Sequence, residues 1–79
     1  MAANFDNPDA VVGYEVEIYI NNFRTKTIWK HWIGSEGTCR RKGILFRDGW
    51  GVASMEPITA AQWIRGYGDP RIKDYFGRS

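Results

Sequence analysis

Tyr14, Val16, Ile18 and Ile20 alternate with Glu15, Glu17 and Tyr19. A period of two places the apolar side chains on one side of an extended chain and the two carboxylates on the other. That pattern specifies a strand with one buried face. Asn21-Asn22 follows directly. Asparagine tolerates the left-handed backbone of tight hairpins, so the pair predicts a two-residue turn with a return strand over 24–33.

Such a turn sets a register. Ile20 faces Phe23, Ile18 faces Thr25, Val16 faces Thr27 and Tyr14 faces Trp29, with His31 on the same side as Trp29. On the other side Tyr19 meets Arg24, Glu17 meets Lys26 and Glu15 meets Ile28. The second set contains a cation–π pair and an opposite-charge pair, both favourable across strands. A slip of one residue would exchange the two faces.

Residues 34–41 (GSEGTCRR) read as a loop, with two glycines in a polar run. Residues 42–55 read as a second hairpin. Ile44, Leu45 and Phe46 lead into Asp48-Gly49, and Val52 to Met55 lead out. The chain then changes character. Thr59 and Gln62 have the spacing of a capping box, and Ile58 and Trp63 that of a hydrophobic staple. A short helix to about Tyr67 follows, stopped by Gly66 or Gly68. Asp69-Pro70 suits the start of a second helix, with Ile72, Tyr75 and Phe76 on one face and Gly77 at its end. The expected fold is α+β: a small antiparallel sheet of two consecutive β-hairpins, then two short C-terminal helices packed on one face of it. One domain spans 1–79. Within it, 1–10 form a polar arm that Phe5 anchors, 13–55 the hairpins and 58–77 the helices.

A chain of 79 residues has a thin core. A domain of this size hides only about 60% of its unfolded surface, and most such scaffolds lean on disulfides, a metal, oligomerisation or bulky core residues. Cys39 is the single cysteine and His31 the single histidine, so neither an intramolecular disulfide nor a zinc site of the usual His and Cys ligands can form. Four Trp, four Tyr and four Phe supply bulk instead. A lone thiol points to a reducing compartment, hence the cytoplasm. The sequence has no apolar run of membrane-spanning length and no secretory leader pattern, so no membrane association is expected. It specifies no oligomeric state.

Charge is unevenly distributed. Residues 1–23 carry Asp6, Asp9, Glu15 and Glu17 and no base, whereas 24–47 carry Arg24, Lys26, Lys30, Arg40, Arg41, Lys42 and Arg47 against Glu36 alone. Residues 48–79 balance. A basic block of this kind is a surface for a polyanion. On the predicted return strand, Arg24, Lys26, Lys30 and Trp32 share the outer face with Tyr19 beside them. Arg40, Arg41 and Lys42 continue the block into the loop. Cations for phosphates beside aromatics for base stacking are what nucleic-acid surfaces combine.

Catalysis finds little support. His31 lacks an orienting partner in the sequence, and Cys39, although beside Arg40 and Arg41, belongs to no Cys–His signature. Glu15 and Glu17 share a strand face, where Lys26 accounts for Glu17 more simply than acid–base chemistry does. The sequence contains no phosphate-binding glycine loop and no nucleophile elbow, so no cofactor is expected. The expectation is a non-enzymatic module that docks through 24–47 on nucleic acid or a nucleoprotein complex. The alternative is a small stoichiometric inhibitor or adaptor, of the kind phages encode against host defence (CRISPR-Cas, for example) or polymerase machinery. Its anchors would be Trp50, Tyr67 and Tyr75.

Overall fold

The computed structural model describes residues 4–72. Its elements run β1 (Val11–Tyr19), β2 (Thr27–Ile33), α1 (Glu36–Ile44), β3 (Val52–Thr59) and α2 (Ala60–Tyr67). The three strands form one sheet in the order β2-β1-β3, with β1 antiparallel to both neighbours. The α+β class and the antiparallel sheet agree with the sequence reading. The second hairpin does not form: β3 pairs with β1, and α1 lies between β2 and β3 in the chain. Since β2 and β3 both oppose β1, they run parallel to each other, and α1 is the crossover that joins them.

The hairpin of β1 and β2 forms, but with a wider loop. Asn21 builds it. Its side-chain oxygen accepts from the backbone N–H of Thr25 at 3.0 Å and of Lys26 at 3.3 Å, and its amide donates to Thr25 Oγ1 at 2.8 Å. Arg24 takes the left-handed conformation (φ 57°) that Asn21-Asn22 was expected to take. The register therefore shifts by three residues: Ile18 faces Ile28 instead of Thr25, and Val16 faces Lys30 instead of Thr27. An odd shift turns β2 over. Ile28, Lys30 and Trp32 now lie on the side of Val16 and Ile18, while Trp29 and His31 lie on the side of Glu15 and Glu17. The exchange partly buries Ile28 and Trp32 against the core where the tighter turn would have placed two threonines.

The expected loop over 34–41 is mostly helix. Ser35 is the N-cap, its hydroxyl accepting from Thr38 N–H at 3.2 Å, and Glu36 pairs with Arg40 one turn on at 2.8 Å. Cys39 and Gly43, four residues apart, are the two buried positions of α1 and face the sheet. Gly43 is there because the helix comes very close. A Cβ at that position would lie 2.7 Å from Val52 Cγ2 and 2.9 Å from Val16 Cγ1. The Asp48-Gly49 signal does mark a turn, closed by Gly49 N–H to Phe46 O at 2.9 Å. It joins α1 to β3 instead of joining two paired strands.

The capping box of α2 forms as expected. Gln62 N–H donates to Thr59 Oγ1 at 3.2 Å, and Thr59 N–H donates to Gln62 Oε1 at 2.9 Å. Ile58 and Trp63 share one buried cluster, and Gly68 ends the helix with φ 91°. The N-terminal segment contributes further caps: Ala10 O and Pro8 O accept from Ala60 N–H and Ala61 N–H at 2.8 and 3.1 Å. Phe5 packs against the α2 cluster, as the anchor reading requires. Asp69 Oδ1 accepts from Arg71 N–H at 2.9 Å, but no helix begins by Ile72. The expected second C-terminal helix, with Tyr75 and Phe76, otherwise lies outside the described residues.

The two helices cover opposite faces of the sheet, not one. A bulge causes the split. Val11 pairs with Thr59 and Gly13 with Ile58, leaving Val12 as an extra residue in β1. The kink sends Val12 to the α2 side with Ile58, Ala60 and Trp63. Val16 and Ile18 meet Cys39 on the α1 side, with Trp32, Phe46, Val52 and Met55 packed around them.

Candidate functional site: a basic, apolar groove between β2 and α1

Helix α1 packs mainly over β1 and β3 and touches β2 least. The part of that face formed by β2 is therefore incompletely covered. A groove of about 560 Å³ remains there, lined by Trp32, Thr38, Arg41, Lys42, Leu45, Phe46 and Arg47. Thr38, Arg41, Lys42 and Leu45 follow a helical stripe, so the α1 wall is one continuous edge of that helix. Phe46 closes the end near Lys30, whose ammonium sits 5.5 Å from the ring centroid. Leu45 is 72% exposed, far more than a core leucine.

The charge at the rim is uncompensated. Among the described residues, Lys30, Arg41, Lys42 and Arg47 have no carboxylate within ion-pair distance. The floor is apolar and the rim is cationic, so the groove presents both surfaces that an anionic partner with apolar side chains would use.

The sequence-predicted residues divide into three groups. Lys30, Trp32, Arg41 and Lys42 come together at this groove. Trp32 is half-buried in its floor and not exposed on an open sheet face. Arg24 and Lys26 stay in the loop after β1. The Arg24 guanidinium lies 6.0 Å from the Tyr19 ring centroid, so that cation–π pair survives the change of register. The expected Glu17–Lys26 pair does not. Glu17 accepts from Thr27 Oγ1 at 2.7 Å and from Ser54 Oγ at 2.9 Å. Arg40 points away to its Glu36 partner.

Of the expected anchors, Trp50 is 53% exposed, and its backbone N–H is held by Tyr19 O at 2.8 Å. Tyr67 is partly occupied. Its ring stacks on His31 at 3.8 Å and tilts against Trp63 at 4.8 Å. Tyr75 lies outside the described residues. Arg47 belongs to the basic block read from the sequence, whereas Leu45 and Phe46 were expected in a second hairpin and Thr38 in a loop; all four line the groove. Leu45 continues the helical spacing of Thr38, Arg41 and Lys42, which a loop over 34–41 hides, whereas Phe46 and Arg47 follow the helix and carry no periodic signal.

Two groups bear on catalysis. Burial pushes the Cys39 thiol up, outweighing the opposite pulls of the Tyr14 backbone and of Lys42. The thiol donates to Trp32 O at 3.4 Å and sits in the core beside Val16 and Ile18. It is therefore a packing residue, not the loop thiol expected beside two arginines. His31 is exposed on the α2 side, opposite Glu15 in register, with Tyr67 against its ring. Glu15 also faces Glu56, and the two line a second hollow of about 520 Å³ with Tyr67 and Gln62. Among the described residues, no three His, Cys, Asp or Glu side chains are placed to hold a metal ion. Nor is any described helix long and apolar enough to cross a membrane.

No family model matches the chain, and neither does any curated protein or solved structure.

Proposed function

We propose that the chain is a non-enzymatic binding module that docks on an anionic macromolecule through the groove between β2 and α1, within the cytoplasm. One observation carries this reading. Lys30, Arg41, Lys42 and Arg47 converge around Trp32, Leu45 and Phe46 with no carboxylate to neutralise them among the described residues. Nucleic acid, alone or within a nucleoprotein complex, is one such partner. Arg24 and Lys26 extend the cationic surface beyond the groove.

A second reading, the small inhibitor or adaptor that grips a protein component of host nucleic-acid machinery, has an observation of its own. Leu45, Ile44 and Trp50 are exposed, and aliphatic side chains gain more from a protein surface than from phosphates.

The test is a fluorescence titration with mixed-sequence single- and double-stranded oligonucleotides and with polyglutamate, at about 50 and 200 mM salt. Trp32 in the groove floor reports occupancy. Four groove cations on a single strand give a slope of about −3 in log K against log salt. Absence of binding to all three polyanions at the lower salt overturns the docking reading.

A further inference from the structure

The two open edges of the sheet differ. On the β3 side, Pro57 lacks an N–H to offer and two register shifts distort the pairing with β1. Proline and bulges are how natural sheets discourage added strands. On the β2 side, pairing with β1 runs without interruption from Gly13↔Ile33 to Tyr19↔Thr27. β2 contains no proline and no bulge. Among the described residues nothing pairs with its outer edge.

The direction of the backbone groups on β2 can be assigned. Ile20 N–H donates to Lys26 O and Gly34 N–H donates to Val12 O, each at 2.9 Å. Both contacts belong to the register that pairs Ile18 with Ile28. In an antiparallel ladder, inward and outward residues alternate. Ile28, Lys30 and Trp32 therefore bond to β1, and Thr27, Trp29, His31 and Ile33 turn their N–H and C=O groups outward. The groove lies beside β2, with the Trp32 side chain in its floor and the backbone groups of its neighbours His31 and Ile33 on the open edge.

We propose that β2 accepts an extended acidic segment of a partner protein as a fourth strand, whose alternate apolar side chains fill the groove beside α1. This rests on the docking reading above and names the partner for the same groove. Backbone pairing supplies affinity, and alternate side chains in an adjacent hollow supply selectivity, as in other strand-addition complexes. Charge selects the occupant. A second copy of this chain, paired antiparallel through β2 in the register centred on Lys30, would set the two lysines against each other and add a second set of Arg41, Lys42 and Arg47 nearby. Carboxylates on the incoming strand meet the same cations favourably. The exposed Leu45 asks for an apolar neighbour, which a phosphate backbone does not provide.

The test uses the full chain, isotope-labelled, and a synthetic peptide of about nine residues, with glutamate at both ends, leucine at the alternate positions between them and threonine elsewhere. On addition of peptide to about 1 mM, the amide hydrogens of Trp29 and His31 exchange at least about tenfold more slowly. Those of β3 do not change. N-methylating the peptide amides that face β2 abolishes the effect while leaving every charge in place. Leu45→Ser weakens binding several-fold without altering the exchange of the free protein.

Several results would overturn the proposal. Peptide binding that is indifferent to N-methylation, or that leaves Trp29 and His31 unprotected, would refute strand addition while docking stands. Oligonucleotide binding with no peptide binding would assign the groove to nucleic acid instead. Self-association that protects Trp29 and His31 without peptide would assign the edge to a second copy. If polyglutamate, oligonucleotides and peptide all fail to bind, the docking reading falls together with the proposal.

Discussion

Gly43→Ala tests the seat of α1 on the sheet, and Gly37→Ala in the same helix is its control. In the second substitution the added methyl meets nothing within 4 Å, so only helix propensity acts. That change stabilises by roughly 0.5–1 kcal/mol. At Gly43 the same gain is opposed by contacts of 2.7 Å to Val52 Cγ2 and 2.9 Å to Val16 Cγ1. Both are stiff β-branched side chains, and Val16 is fully buried, so relief requires α1 to rise from the sheet. Overpacking of this kind costs about 1–3 kcal/mol. The net effect is a loss of about 1–2 kcal/mol, or a Tm lower by roughly 5–10 °C for a domain of this size. Gly37→Ala raises Tm by a few degrees. Thermal melts followed by circular dichroism, with urea titrations at 25 °C, measure both. If Gly43→Ala stabilises the protein as much as Gly37→Ala, the close contact is refuted, and with it the position of the groove wall.

Thr59→Ala removes one half of the capping box and should cost about 1 kcal/mol in urea denaturation, with an unchanged m-value. Arg41→Glu combined with Arg47→Glu should reduce affinity for every anionic ligand by at least about tenfold, yet shift stability by less than about 1 kcal/mol, because both side chains are exposed and carry no ion pair among the described residues. Equal loss for a neutral ligand would contradict the charge argument. The Cys39 thiol holds its proton more tightly folded than unfolded, so its contribution is complete below the ordinary thiol value of 9.0 and declines as pH rises beyond it. Stability measured from pH 8 to 10.5 should show a downward slope that Cys39→Ala removes, and alkylation of the native thiol should be slow until urea opens the fold.

What could be read from the sequence follows the range of the interactions involved. β1 was legible because its period of two is written in neighbouring residues. α2 was legible because Thr59 and Gln62 satisfy each other within one turn. The existence of β2 was legible, but its register was not, since it depends on which of two compatible turns Asn21 builds. Hydrogen bonds from the Asn21 side chain to Thr25 and Lys26 favour the wider loop. The partial burial of Ile28 and Trp32 settles the matter only once α1 is present.

α1 itself was hidden by its glycines. Gly34 and Gly37 suggest a loop over 34–41, and Gly43 falls in the segment that reads as a second hairpin, yet Gly43 answers a tertiary demand that appears only when Val16 and Val52 meet beneath the helix. The Ser35 cap and the Glu36–Arg40 spacing were the available local signals. For the same reason the basic block was visible as a stretch of sequence but not as a site. Its segments meet only after the chain crosses over the sheet, and Arg40, central to the block on paper, is taken up by Glu36.

The split of the core ties the fold to the proposed docking. Because Val12 is bulged out of the β1 alternation, one short sheet must seal two faces with the apolar residues of a single small domain. Each helix covers only part of its face. On the α2 side the gap is closed internally, by Tyr67 and Trp63 against His31. On the α1 side no comparable aromatic stack closes it among the described residues: Leu45 and Ile44 remain 72% and 58% exposed at the end of the helix, beside four cations and a strand edge without proline or bulge. An edge left open for no purpose would be an aggregation hazard, and β3 shows that this chain has the means to blunt one. Under the proposed strand addition, a regular β2 ringed with positive charge would repel further copies of itself and leave the edge available to an anionic strand. On the proposed docking, the feature that looks like incomplete packing is the surface a partner would cover.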